Sequence, residues 1–189
     1  MRRPLPLILA PLLPTAALAH TGIGAHGSPF ASGLAHPLLG PDHLLAMVAV
    51  GIFAGMTGGT ARWAFPASFV AAMLAGGLLG FEGAAAPVVE PTILASVLIL
   101  GAVIAAALRP PLALSCAAIA VFGLAHGYAH GLEGPALGGL PYAAGFVIST
   151  AALHGAGLAI GIVAGARRPM VARALGGLTC LAGLALVAG

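Results

Sequence analysis

His36-Pro37-Leu38-Leu39-Gly40-Pro41-Asp42-His43-Leu44-Leu45-Ala46-Met47-Val48-Ala49-Val50-Gly51 is the stretch that decides how this chain folds. His36, Asp42 and His43 can each hold a metal or move a proton. Pro37, Gly40 and Pro41, all poor in helix interiors, lie between His36 and Asp42. From Leu44 to Met56 the residues are apolar and fit to enter a bilayer. An aspartate at the centre of a membrane helix costs roughly 2.5–3.5 kcal/mol, so an ionisable group there points to a working site rather than to packing. Gly40-Pro41 predicts that this first span is broken, and discontinuous helices are what many transporters build their sites from. A plainer role for Asp42 is to cap a helix that starts at His43.

The composition around that stretch excludes a water-soluble domain. The chain has 189 residues, 60% hydrophobic and only 6% charged, with no lysine, where a soluble domain carries about a quarter charged residues. A pI near 9.5 suggests a nucleic-acid binder, but the seven arginines are scattered and form no patch. Cys116 and Cys180 lie in apolar runs and read as small buried hydrophobes. Residues 1–19 begin with Arg2-Arg3, continue apolar and end Ala17-Leu18-Ala19, the pattern of a secretory signal peptide. Cleavage there leaves residues 20–189 as one membrane domain beginning at His20, whose α-amino group and imidazole could chelate a metal together; an incidental histidine on a mobile terminus is the plainer reading, and His26 is read the same way.

Beyond residue 30 six apolar runs, approximately 34–56, 63–82, 91–108, 111–131, 141–165 and 169–188, are each near the ~20 residues that cross the hydrocarbon core. The fold class expected is an all-α bundle of six transmembrane helices. With the mature amino terminus outside, Arg62, Arg109, Arg167, Arg168 and Arg173 all fall at the cytoplasmic ends, as the positive-inside rule requires, while Glu82, Glu90 and Glu133 fall at the other. This predicts a multi-pass protein of the bacterial inner membrane. Gly51 and Gly55, Gly76 and Gly80, Gly123, Gly127 and Gly131, and Gly157, Gly161 and Gly165 recur at every fourth residue, the spacing that lets membrane helices approach closely. The first and last three spans would have inverted topology and each triplet opens with a His-rich segment, but their residues do not align as a repeat.

This orientation collects polar groups in the outer half. His126, His130 and Glu133 share one face of the fourth span, near His36, Asp42 and His43 of the first, with Glu90 at the head of the third. His154 lies deeper, ~20 Å down the fifth span at 1.5 Å per residue. Imidazole and carboxylate suit borderline first-row cations such as nickel, zinc or cobalt. Packing or backbone hydrogen bonds are the plainer roles for His126, His130 and His154, a helix start for Glu90, and packing for Phe69 and Tyr128.

His36-x5-Asp42-His43 with Ala46-Met47 and Val50-Gly51, His126-Gly127-x-Ala129-His130-Gly131-x-Glu133, and Leu153-His154-x-x-Gly157 together resemble the motifs of the HupE/UreJ family of nickel transporters, over essentially the whole chain. The resemblance implies uptake of Ni2+, with Co2+ an alternative cargo, for hydrogenase or urease maturation. It places His36, Asp42 and His43 in the metal path, with His130, Glu133 and Glu90. No tightly bound cofactor is implied. The expected partners are the divalent ion and the bilayer, with a second copy of the chain or a cytoplasmic metallochaperone as candidates, and no nucleic acid. A zinc permease, a metal-sensing subunit and a bis-histidine haem protein compete with this reading. An enzyme does not, since neither a Gly-x-Ser-x-Gly elbow nor a His-Glu-x-x-His pair is present. Nor is there a phosphate-binding Gly-x4-Gly-Lys-Ser/Thr loop, so the energy would come from a gradient, downhill flow or a partner. If the metal reading holds, His36, Asp42 and His43 should approach His126, His130 and Glu133.

Overall fold

The computed structural model describes residues 28–81, 83, 86–137 and 139–188. The signal-peptide reading of 1–19, and with it His20 and His26, lies outside the described residues. These residues form seven helices: α1 (Pro29–Leu39), α2 (Pro41–Thr57), α3 (Ala61–Gly80), α4 (Val89–Ala105), α5 (Leu112–Leu137), α6 (Leu140–Arg167) and α7 (Pro169–Ala188). The chain is a multi-pass membrane protein, all-helical over its described residues.

The break expected at Gly40-Pro41 is present. The Oγ of Ser28 accepts from the Ala31 N–H at 3.3 Å to start α1, and α1 ends at Leu39. Pro41 disfavours the helical conformation for the residue before it, and Gly40 is extended at φ −88°, ψ 111°. Pro41 then opens α2 from the first helical position, where its missing N–H costs nothing. The two helices meet at a bend of 80°. The cap differs from expectation: Gly40, not Asp42, is the N-cap of α2, and Asp42 sits in its first turn.

Among the described residues four helices are long and apolar enough to cross a membrane, α3, α5, α6 and α7, and the bent pair α1–α2 makes a fifth if it counts as one span. The run expected at 91–108 gives only the 17 residues of α4. Its length is cut at one end by Leu108-Arg109-Pro110-Pro111, since prolines cannot continue a helix. Ala107 turns the chain at φ 54°, a left-handed stop. The Arg173 guanidinium, Nε to oxygen 2.8 Å, donates to the Ala105 carbonyl freed by that stop.

Bilayer lipid gives no hydrophobic drive to helix association, so close van der Waals packing has to supply it. α2 is the central element, buried almost all round from Ala46 to Gly55, and it packs chiefly on α6. α3 packs on α5, α4 on α7, and α1 on α6. Each of these contacts is set by glycine: a Cβ on Gly33 of α1 would strike the Tyr142 backbone, and one on Gly145 of α6 would strike Phe30. Leucines such as Leu78, Leu178 and Leu181 face outward as a lipid-exposed surface. Helix alternation puts all five arginines among the described residues at one end of the bundle, and the α1–α2 break at the other.

Candidate metal site

The bend at Gly40 turns α1 so that His36 faces the head of α2, and the α3–α5 packing presents the upper part of α5 to the same point. Four imidazoles meet there. His36 and His130 have ring centroids 4.6 Å apart, His43 and His130 4.6 Å, His43 and His126 4.9 Å, and His36 and His43 6.3 Å. Three helices, α1, α2 and α5, therefore contribute to one cluster. Histidines 126 and 130, one turn apart, share the face that α5 turns toward α2. His43, His126 and His130 are buried.

Hydrogen bonds set the ring tautomers of two of these residues. Asp42 Oδ1 accepts the His43 backbone N–H at 2.8 Å and lies 2.7 Å from His43 Nδ1. An ionised carboxylate only accepts, so Nδ1 of His43 carries a proton, and in the neutral ring Nε2 keeps a lone pair. His126 Nδ1 lies 2.8 Å from the Phe122 carbonyl, another pure acceptor, so in the neutral ring its Nε2 likewise keeps a lone pair. Both Nε2 atoms, and both ring nitrogens of His154, are buried without a hydrogen-bond partner among the described residues. Buried polar atoms are ordinarily satisfied, and an imidazole oriented by a carboxylate with its second nitrogen left over has the arrangement of a metal ligand.

The rings pack edge to face. Among the described residues no group of three or more His, Cys, Asp or Glu is posed to hold a metal ion. A cation held by these rings would require side-chain rotation from this arrangement.

The remaining predicted residues fall into three classes. Glu90 is exposed in the first turn of α4 and takes no part in the ring contacts. Glu133 lies in α5, but its side chain is outside the described residues. His154 is buried in α6, one step below the cluster. Between them stands Phe69, fully buried, its ring 5.2 Å from His126 and 5.1 Å from His154. Aromatic rings also close the cluster on the α6 side, with Phe146 4.1 Å from His130 and Tyr142 5.8 Å from His36. From the sequence Phe69 reads as packing, and nothing in an apolar run marks which aromatic faces a histidine.

Comparison with known proteins places the chain in a family. The family model described as HupE / UreJ protein matches residues 7–186. Protein HupE of Rhizobium leguminosarum bv. viciae is 41% identical over 179 residues, 94% of this chain and 93% of the relative. No solved structure matches the chain. The chain belongs to the HupE/UreJ family.

Proposed function

We propose that this member of the HupE/UreJ family is a permease for a divalent first-row cation, nickel first and cobalt second, that supplies hydrogenase or urease maturation. The observation that carries this reading is the convergence of His36, His43, His126 and His130 from three helices, with Nε2 of His43 and His126 left as lone pairs. Neutral imidazoles beside a carboxylate suit nickel, cobalt or zinc better than the hard cations magnesium or calcium. Four imidazoles gathered in one cluster exceed the two axial ligands a haem iron takes, which makes haem the weaker reading.

The arginine end is placed in the cytoplasm on the positive-inside rule, so the cluster faces outward and receives the ion. Glu90 and Glu133 would make the approach electronegative, and no arginine among the described residues lies at that end. From the cluster the route leads past Phe69 to His154. A site that transports must also release, and ligands that have to rotate into place give a binding step without a deep trap. The test is nickel uptake into proteoliposomes: the parent should accumulate 63Ni, and His126→Gln at equal protein level should lose most of the uptake. Equal uptake by His126→Gln would remove the cluster from the path.

A further inference from the structure

The glycine contacts carry a regularity that residue identities hide. A Cβ on Gly157 of α6 would strike the Val48 carbonyl of α2, and one on Gly76 of α3 would strike the Leu124 carbonyl of α5. One helical turn on, Gly161 meets the Ile52 carbonyl and Gly80 that of Tyr128. The opposite partners correspond too: Gly51 meets the His154 carbonyl as Gly127 meets that of Met73, and Gly55 meets Leu158 as Gly131 meets Gly77. One constant shift carries α2 onto α5 (48, 51, 52 and 55 onto 124, 127, 128 and 131). A second carries α3 onto α6 (73, 76, 77 and 80 onto 154, 157, 158 and 161). The third pair closes on itself: Gly101 of α4 meets Gly176 and Cys180 of α7, while Gly176 meets Gly101 and Ala105, with 101 and 105 carried onto 176 and 180 by one shift. A pseudo-twofold axis therefore passes between Gly101 and Gly176. Each half has three helices, so the halves have opposite orientation.

We propose that α2–α4 and α5–α7 are an inverted repeat, and that the ion crosses by alternation, the α2–α6 pair tilting against the α3–α5 pair. This rests on the permease reading above. The two ends of the bundle are in different states, as alternation requires. The same shift carries His43 onto Ile119, and Val50 and Ala54 onto His126 and His130. The polar cluster thus has as its mate Ile119, Val50 and Ala54, an apolar plug with no more than 1% of each residue exposed. Phe146, against His130, has as its mate Phe65, which stacks on Phe53 at 4.8 Å. α1 covers only the histidine end, because the chain equivalent to it lies in the short α4–α5 connection. The cluster also straddles the moving boundary, His43 on one pair and His126 and His130 on the other. The tilt that opens the plug therefore separates the ligands, and inverted repeats commonly work by such rocking around a central site.

Reversible cross-links test this in proteoliposomes with 63Ni, in a Cys116→Ala, Cys180→Ala background. A Cβ on Gly165 stands 3.9 Å from that of Met56, within disulfide range, so Met56→Cys with Gly165→Cys staples one pair internally. Phe53→Cys with Phe65→Cys, joined by a short reducible bis-thiosulfonate, ties the two pairs together across the plug. Expected is flux within about twofold of parent with the first link, and a loss of at least about tenfold with the second that reduction reverses. Unchanged flux with the pairs tied together, while the parent transports, overturns alternation alone; a parent that moves no nickel brings down the permease reading first. Should the Phe53/Phe65 variant be inactive before linking, Ala54→Cys decides: labelling by an impermeant maleimide from the arginine face that rises during nickel turnover is expected, and none during turnover overturns the proposal.

Discussion

Asp42→Asn separates orientation from mere presence at the cluster. The substitution keeps the size of the side chain, and an amide oxygen can still accept the His43 backbone N–H. What it loses is the charge on the atom 2.7 Å from His43 Nδ1. Charge-assisted hydrogen bonds are roughly twice as strong as neutral ones, and the amide can also turn its NH2 toward the ring, which would favour the other tautomer and take the lone pair off Nε2. Removing the outer partner of a ligating histidine typically lowers metal affinity 10- to 100-fold, or about 1.4–2.7 kcal/mol. Expected in initial-rate 63Ni uptake is a half-saturation concentration raised by about that factor, with membrane levels unchanged. Asp42→Glu, which keeps the charge one methylene further out, should fall between the two. A half-saturation value equal to parent in Asp42→Asn would refute the claim that this carboxylate orients His43 for the ion.

Further outcomes follow from the packing and the path. Gly127→Ala drives a methyl into the Met73 carbonyl and should cost roughly 1–3 kcal/mol of stability, as overpacking does, read as a lowered midpoint in denaturant titration of the micelle-embedded protein. Gly155→Ala, with nothing within 4 Å of the added carbon, should instead be neutral or stabilising by about 0.5–1 kcal/mol in the same assay. His154→Leu, below Phe69 and outside the four-ring cluster, should lower the maximal nickel flux roughly tenfold with little change in half-saturation, the pattern of a step after binding. Single cysteines at Thr60, beside the arginine end, and at Val88, at the opposite end, should react with an impermeant maleimide from opposite faces of the membrane, Thr60→Cys from the cytoplasm; the reverse would invert the orientation.

The parts of the fold that obey local rules were legible in the residues. Proline geometry predicts the Gly40-Pro41 break, and apolar runs near 20 residues predict α3, α5, α6 and α7. The run expected at 91–108 corresponds to α4, which begins at Val89 and stops at Ala105 because Ala107 and the following prolines end it early. At the site, helical spacing puts His126 and His130 on one face, and the bend places His36 against them. Spacing within a helix says nothing of which aromatic from another helix stands between two histidines, so Phe69 passed as packing. The repeat was hidden for a related reason. Each helix pair has its own shift, because the connections between helices differ in length, and the halves share backbone contacts at glycine rather than side-chain identity. The ladders are visible in the sequence; which carbonyl each one meets is not.

Under the proposed alternation, those ladders would let a chain this poor in polar groups be firmly built within each helix pair and move between the pairs. A glycine against a carbonyl oxygen leaves no gap into which either helix can slide, so α2 with α6, and α3 with α5, are each held as a unit. Between the units the contacts are side chain on side chain, such as Phe53 on Phe65 and the histidine rings on one another, which rotamer changes can remake. A cation drawn to His43, His126 and His130 together favours the state in which the two units close on it. It can shift the equilibrium only by its difference in affinity between the two states. On the proposed alternation, the apolar mates Ile119, Val50 and Ala54 offer the ion no ligands on the far side, so the ion would favour the closed state and release would follow its opening. On that account a weakened cluster has two opposed effects, poorer capture at limiting nickel and faster release at saturation. Asp42→Asn should then raise the half-saturation concentration while leaving the maximal rate equal to parent or above it. A maximal rate that falls in step with affinity would mean that the carboxylate serves the crossing itself, and not only the capture.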